Sequence, residues 1–228
     1  NGGLNTASVD GTVTLNGTIA SSDDAITLGA VTLGSATIID TNSTTTNRAG
    51  IAIGAVTGGS NALTLSTENN VTGSDVTASG NISGVTTLTL ASIGGTSTVS
   101  GDVDVTTLAV DNTVADIVFT GNGSTITNAI SFANDGALTL GASGGGTLTF
   151  NGGLTTTSVG STVTLQGTIA TSNDAVVLGA VTIGGATTID TNASSNAADI
   201  TVAAITGGSN NLTLSTGNNI AGADVTAS

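Results

Sequence analysis

The sequence predicts an all-β fold, a parallel β-helix or β-solenoid, in which short strands stack turn upon turn into a rod. Three observations carry this prediction. A long segment of the chain recurs, short runs alternate aliphatic residues with Thr or Ser, and Gly, Asn, Asp and Ser separate those runs. A long internal repeat indicates that the same local structure is built twice along one axis.

The repeat relates residues 1–79 to residues 151–228. The offset is 150 residues up to about Asn192 and 149 residues from Gly207 onward, because one residue is deleted between them. With turns of about 20 to 24 residues, residues 1–150 would form a first repeat of about seven turns and residues 151–228 a partial second repeat. One continuous rod of about ten turns and about 50 Å follows. Since repeat arrays end in atypical caps, we expect a piece of a longer chain.

The strands are visible as runs with a period of two residues, such as residues 62–65, 86–90 and 137–140. This period indicates strands with one buried face. The two copies keep the same aliphatic residue where a stacked core requires it. These predicted core pairs are Val13/Val163, Leu15/Leu165, Ile19/Ile169, Leu28/Leu178, Val31/Val181, Ile39/Ile189, Ile51/Ile200, Leu63/Leu212 and Leu65/Leu214.

Composition favours a solenoid over other β folds. The chain has 34 Gly and 3 Phe, and no Pro, Cys, Met, Trp, Tyr or His. A hydrophobic fraction of 38% is too high for a disordered chain. Large aromatic residues that could fill a sandwich or barrel are scarce, whereas stacked turns make a core from aliphatic columns alone.

The formal net charge is -14, and Arg48 is the only cation. Nucleic acid is excluded as a partner, because phosphate binding requires clustered Lys or Arg. The sequence also predicts no membrane insertion, since no apolar run approaches the roughly 18 residues that span a bilayer.

Several segments alternate short aliphatic and Thr-rich strands with Gly-rich turns, among them DAVVLGAVTIGGATTIDT and GNISGVTTLTLASIGGTSTVSGDVDVTTLAV. They resemble the β-strand-repeat segments of giant bacterial surface proteins, the adhesins of the filamentous-haemagglutinin and autotransporter-passenger type. The resemblance covers essentially the whole chain. It implies a right-handed β-helical stalk or fibre outside the cell, and it brings no shared catalytic residues.

The sequence predicts that the chain is not an enzyme and holds no catalytic or cofactor-binding residue. Without His or Cys, the Ser-His and Cys-His nucleophile systems are impossible within the chain. The nearest approach to a catalytic carboxylate pair is Asp23 beside Asp24, which we expect to form a turn.

The metal candidates are two carboxylates. Asp102 and Asp104 alternate along a run with strand periodicity, so they lie on one face and are weak candidates for Ca²⁺. The glycine-rich calcium repeat of other β-helices is missing, and Asp residues that bond turn backbones are the commoner explanation. Ca²⁺ is the only cofactor that the sequence admits.

We therefore expect a secreted, structural protein that forms a stiff, protease-resistant filament, sheath or stalk on a bacterial cell surface. Self-association, end to end or laterally, is the expected partnership. A cell-surface or glycan partner would bind through regions outside this segment, because no insertion breaks the rhythm of the turns.

Three alternatives stay open. The rod could be the stalk of a ligand-binding adhesin, or a functional amyloid. It could also be an ice-binding solenoid, since Thr-x-Thr triplets occur at residues 12–14, 96–98 and 125–127, although they are scattered along the sequence. Asn-x-Ser/Thr sequons, which a chain rich in Asn and Thr produces by chance, occur at Asn16, Asn42, Asn70, Asn81, Asn122, Asn192 and Asn211.

Overall fold

A computed structural model describes residues 2–44 and 47–227. All regular structure in these residues is β-strand, and the strands join one sheet in which every pairing is parallel. The sheet winds into a β-solenoid of about nine turns. The predicted fold class is therefore confirmed.

Twenty-one strands make up the solenoid in the described residues. The first ten are β1 (Leu4–Asn5), β2 (Val13–Ala20), β3 (Ile26–Leu28), β4 (Val31–Asp40), β5 (Ile51–Ile53), β6 (Val56–Ser66), β7 (Val76–Ala78), β8 (Ile82–Ala91), β9 (Thr96–Val99) and β10 (Val103–Val110). The others are β11 (Asp116–Phe119), β12 (Gly123–Ile126), β13 (Ile130–Ser131), β14 (Leu138–Leu140), β15 (Thr147–Phe150), β16 (Leu154–Thr155), β17 (Val163–Ala170), β18 (Val176–Ala193), β19 (Ile200–Thr206), β20 (Leu212–Gly217) and β21 (Val225–Ala227).

Each turn crosses three faces of the rod, which we name A, B and C in chain order; the longer strands bend across two or three of them. Paired residues form columns along each face. The inward column of face A contains Leu4, Ile26, Ile51, Val76, Ser97, Ile117, Leu138, Val163, Val181 and Ile205. Face B is marked by Val13, Val31, Val56, Ile82 and Val103, and later by Leu148, Ile169, Ile189 and Leu214. Face C is marked by Leu63, Leu88 and Leu108, and later by Ile130, Leu154, Val176, Ile200 and Val225.

The turns differ in length while the columns stay aligned. Along face A the shortest step, from Val163 to Val181, takes 18 residues, and the longest steps, such as Ile26 to Ile51, take 25. The extra residues lie in the corners, where loops tolerate insertion, and the strands keep their inward residues in register.

The long repeat does not span a whole number of turns. Leu4 lies on face A, and Leu138 lies six turns further along the same face. The counterpart of Leu4 is Leu154, which comes two strands after Leu138 and lies on face C. The copies are thus offset by twenty strands, or six and two-thirds turns, and the second copy is rotated about the rod axis by two-thirds of a turn.

The core is a continuous aliphatic column system. The predicted core pairs face inward and are buried wherever another turn lies on both sides. The three aromatic residues, Phe119, Phe132 and Phe150, are buried as well, and the rings of Phe132 and Phe150 meet edge to face at 6.4 Å. Aliphatic columns therefore do most of the packing, as the composition predicts.

Glycine is required where the backbones of successive turns touch at a corner. A Cβ built on Gly80 would lie 2.4 Å from the amide nitrogen of Ala55, and one built on Gly101 would lie 2.3 Å from the carbonyl oxygen of Gly80. On Gly121 it would lie 2.5 Å from the carbonyl oxygen of Gly101. These contacts exclude any side chain, so a glycine column lines the corner between faces A and B.

The ends of the described rod show what stacking contributes. Leu4, in the first turn, is 37% exposed, whereas its counterpart Leu154, with turns on both sides, is 1% exposed. Ile205, near the other end, is 37% exposed, whereas its counterpart Val56 is 1% exposed. Equivalent residues of the repeat differ only because one of each pair lacks a neighbouring turn.

This pair gives a stability test with an internal control. We expect Leu154→Ala to lower the free energy of unfolding by about 2–5 kcal/mol, because it opens a cavity between two turns. Leu4→Ala should cost less than about 1 kcal/mol, since water already reaches the site. Urea unfolding followed by circular dichroism measures both values. Equal losses in the two variants would contradict the stacked arrangement of faces A and C.

Candidate functional site

The acidic residues line the corners of the rod. Apart from Asp104 and Asp190, which lie within strands, they occupy turns or the first or last residue of a strand. Strand centres on the three faces are largely Thr, Ala, Val and Ser. The molecule therefore presents nearly uncharged faces that meet at negatively charged corners.

Asp102 stands at one such corner and bonds the backbone of the next turn. Its Oδ1 accepts hydrogen bonds from the amides of Asn122 at 2.7 Å and Gly123 at 2.8 Å. Its own amide donates to Oδ1 of Asn81, one turn below, at 3.0 Å. Asn81, Asp102 and Asn122 thus form a polar column that satisfies turn amides without a ladder partner.

Asp104 lies within β10, whereas Asp102 precedes that strand, and the two side chains have different surroundings. It is exposed at the centre of face B, between Ser83 in the turn below and Thr125 in the turn above. Within residues 2–44 and 47–227, no group of three or more His, Cys, Asp or Glu side chains could hold a metal. Ca²⁺ takes about six to eight oxygen ligands, so Asp102 and Asp104 alone offer a weak start to a site.

Other turn carboxylates repeat the role of Asp102. The amide of Thr96 donates to Oδ1 of Asp75 at 2.8 Å, and that of Ala137 donates to Oδ1 of Asp116 at 2.7 Å. Each bond spans one turn of the solenoid. A carboxylate at the start of a strand therefore fixes the start of the strand above it.

Asp23, of the Asp23-Asp24 pair, is also a backbone cap. Its Oδ1 accepts a hydrogen bond from the amide of Thr44, one turn above, at 2.6 Å. In the second copy Asn173 takes its place, and its Oδ1 accepts bonds from the amides of Ser194, Ser195 and Asn196. The exchange of Asp for Asn keeps the oxygen acceptor and discards the charge, which fits a capping role.

One carboxyl pair is electrostatically unfavourable. The carboxylate of Asp40 raises the pKa of Glu68 above its usual range, first by like-charge repulsion and then through a hydrogen bond between the two side chains; slight burial adds to the shift. Glu68 also has a left-handed backbone with φ 48°, and its counterpart in the second copy is Gly217. The first copy thus retains strain that the second copy lacks.

Face A carries the most regular surface of the rod. Its pairings run in unbroken register, and the residue that follows each inward residue of the column points outward. The outward column contains Asn5, Thr27, Ala52, Thr77, Thr98, Val118, Thr139, Thr164, Thr182 and Thr206. Seven of these ten residues are Thr. Threonines that look scattered in the sequence are therefore aligned in space, because turns of different length bring strand centres onto one line.

Two shallow grooves run beside this column. One, of about 230 Å³, lies next to Ala25, Gly50 and Asp75 in the early turns. The other, of about 330 Å³, lies next to Ala180 and Ala204 near the opposite end. The lining residues on the N-terminal side lie two positions before the column and are Ala25, Gly50 and Asp75 in the first groove and Thr162, Ala180 and Ala204 in the second. In the middle turns Thr96, Asp116 and Ala137 stand at the corresponding positions.

The only cation lies apart from face A. Arg48 is exposed, and its side chain crosses the turn at Gly73, where an added Cβ would lie 3.0 Å from Arg48 Cδ. With Asn69 and Thr72 it borders a shallow groove of about 290 Å³. In the second copy Ala197 crosses Gly222 instead, so the cation is not a constant part of the repeat.

No family model, curated protein or solved structure matches the chain. The resemblance to bacterial surface adhesins therefore stays a prediction from the sequence. No helix in the described part of the chain is long and apolar enough to cross a membrane.

The capping role of Asp102 can be tested against the calcium hypothesis. We expect Asp102→Ala to lower the free energy of unfolding by about 1–3 kcal/mol, because two turn amides lose a charged acceptor. Asp102→Asn, which keeps Oδ1, should cost less, and Asp104→Ala should be close to neutral. Thermal melts with and without Ca²⁺ report these effects. A calcium-dependent rise in melting temperature that both Ala variants abolish would instead establish a metal site.

The strained pair predicts a pH dependence. At pH 7 we expect Glu68→Gln to raise the free energy of unfolding by up to about 0.5 kcal/mol, the scale of exposed charge pairs. Because the folded pKa of Glu68 is raised, the wild-type side chain favours folding fully only below its unfolded pKa, and this contribution is lost as the pH rises through the folded pKa.

The advantage of the Gln variant should therefore grow with pH across that window and nearly vanish at pH 3. Asp104→Asn, which removes an exposed charge far from any such pair, is the control for overall charge. Urea titrations at several pH values measure both. A difference between Glu68→Gln and wild type that does not change with pH would rule out the repulsion from Asp40.

Proposed function

We propose that this chain is a structural rod, part of a filament, sheath or stalk that extends from a bacterial cell surface. Its inward columns form one core from the first turn to the last, and the same ladder joins every turn to the next. A rod of this kind can be lengthened without redesigning its interior. Its role would be length, stiffness and resistance to proteolysis.

The continuous core and the ladder between turns carry the proposal, and the last turns of the 228-residue segment show what each further turn contributes. Ile205 and Val225 are exposed, whereas their counterparts Val56 and Val76 are buried under a further turn. A further parallel turn would bury them and complete their hydrogen bonds. For the isolated 228-residue segment, the first turn of a second copy would supply one, with Leu4 above Ile205 on face A, so we expect isolated segments to associate end to end.

A location outside the cell is supported by the sequence and by the family resemblance. The chain has a single Lys or Arg, so trypsin-like proteases have one site, the exposed Arg48. It also has no Cys that would need oxidation. A stalk that carries an adhesive domain would use the same rod and the same properties.

The threonine column of face A favours a second candidate, an ice-binding solenoid. A flat row of hydroxyl and methyl groups at the strand spacing of about 4.8 Å is a regular surface that could match ordered water. Thermal hysteresis measurements on the 228-residue chain test this candidate directly.

End-to-end association is tested on the same 228-residue chain. We expect the mass measured by light scattering to rise with concentration from 21.5 kDa, and electron micrographs to show rods of varied length with an axial repeat near 4.8 Å. The double variant Ile205→Lys, Val225→Lys should show only single rods without end-to-end extension in the micrographs, because it places charge on the open end.

Ile38→Lys is the matched control, since Ile38 is exposed to a similar degree but lies on the side of the rod. It should associate like the wild type. A wild-type chain that remains monomeric at high concentration, or a double variant that associates unchanged, would contradict the end-on arrangement.

A further inference from the structure

We propose that face A is a lateral docking surface for a second copy of this chain, and that the two rods pair in parallel with their turns level. This inference deepens the proposed structural role and rests on it. It concerns how rods join side by side, whereas the terminal turns concern how they join end to end.

The first argument is the distribution of charge. A chain with a net charge of -14 repels its own copies, so a lateral contact needs a surface that keeps carboxylates apart. The outward column of face A, from Asn5 to Thr206, contains no charged residue, and the carboxylates beside it are Asp75 and Asp116, two residues before the column. Face B has Asp104 at the centre of a strand, with a register shift beside it. Face A is therefore a better surface than face B for contact with a like-charged partner.

The second argument is that face A is self-complementary. A contact related by a twofold axis needs a ridge and a matching groove on the same surface. The threonine column is the ridge, and the grooves beside Gly50 and Ala180 run along its N-terminal side. Thr77 stands level with the first groove and Thr182 with the second. Ridge and groove are two residues apart along the strand, or about 6.6 Å.

This geometry selects one orientation. A twofold axis parallel to the rods places the ridge of each copy over the groove of the other, at the same turn. Thr182 of one copy then lies over Ala180 of the second copy. A twofold axis perpendicular to the rods would set ridge against ridge and leave both grooves empty. Parallel, level pairing is the arrangement that fills the grooves.

The size of the surface sets the strength of the contact. Face A is about nine turns high at about 4.8 Å per turn, and the strands cross it over a length of about 12 Å. It therefore offers about 500 Å² per copy, less than the roughly 800 Å² that each partner buries in a stable complex. Asp75 lines one groove and Asp116 stands at the corresponding position in the middle turns, so carboxylates border the contact. Lateral pairing is therefore weak for one rod and grows with rod length and with salt that screens the corner charges.

The test compares two substitutions on strand β18. Thr182→Glu places a charge in the ridge of face A, whereas Thr188→Glu places the same charge on face B; both threonines are half-buried and have Thr as partners in the adjoining turns. In 0.5 M NaCl, in the background of Ile205→Lys, Val225→Lys that blocks the ends, we expect sedimentation equilibrium to show concentration-dependent dimers. Thr182→Glu should weaken the dimer at least tenfold, and Thr188→Glu should leave it unchanged.

Orientation is tested by crosslinking, because the chain has no Cys of its own. A chain with Thr182→Cys mixed with a chain with Ala180→Cys should form a mixed disulfide under mild oxidation. A mixture of Thr182→Cys with Thr27→Cys chains, which lie at opposite ends of the ridge, should not. The reverse result would overturn parallel pairing.

Equal effects of Thr182→Glu and Thr188→Glu, or the absence of dimers, would overturn the docking surface. If Thr182→Glu abolished thermal hysteresis without any change in sedimentation, face A would be an ice-binding surface, and the docking proposal would again be overturned. None of these outcomes tests the end-to-end association, which is measured in chains without the blocking substitutions. Failure of lateral pairing and failure of the proposed rod are therefore distinguishable.

Discussion

The structure depends on one constraint, that every strand finds its hydrogen-bond partners in the turns above and below it. A turn has three short strands and little core of its own, so it is stable only between neighbours. The corner features serve this constraint. Asp102 and Asp75 supply acceptors for amides that the ladder misses, and the glycines at positions 80 and 101 allow the backbones to approach. The core depends on neighbouring turns in the same way, since Leu4 in the first turn is exposed and its counterpart Leu154, between two turns, is buried.

The strands and the core were predictable because alternation has a direct physical cause. A strand with one buried face repeats every two residues, and the aliphatic pairs conserved between the copies are the residues that face inward. Ser97 marks the limit of this reasoning. The triplet Thr96-Ser97-Thr98 is polar throughout, yet Ser97 is fully buried in the inward column of face A, and its hydroxyl has no hydrogen-bond partner. The column, with Val76 below and Ile117 above, decides which face of the strand turns inward.

The candidate surface was harder to foresee, because it depends on turn length. Steps of 18 and 25 residues bring Thr164, Thr182 and Thr27 onto one line, and no fixed spacing in the sequence reveals it. The column could be found from the sequence by aligning the short apolar-x-apolar triplets of successive turns and comparing their central residues. Asp102 and Asp104 show a similar limit. Their spacing predicts one strand face for both, but Asp102 precedes β10, and its bonds to the next turn make it a cap.

The rotation between the two copies gives the rod a directional property. Because the repeat advances by six and two-thirds turns, equivalent surfaces such as those around Thr32 and Thr182 point in directions one-third of a full circle apart and lie about 32 Å apart along the axis. A flat substrate that touches one copy of such a surface is turned away from the other. A ligand that recognises the repeat would therefore bind along a spiral path around the rod. The repeated sequence distributes its contacts around the circumference, whereas the outward column of face A is formed by all turns together.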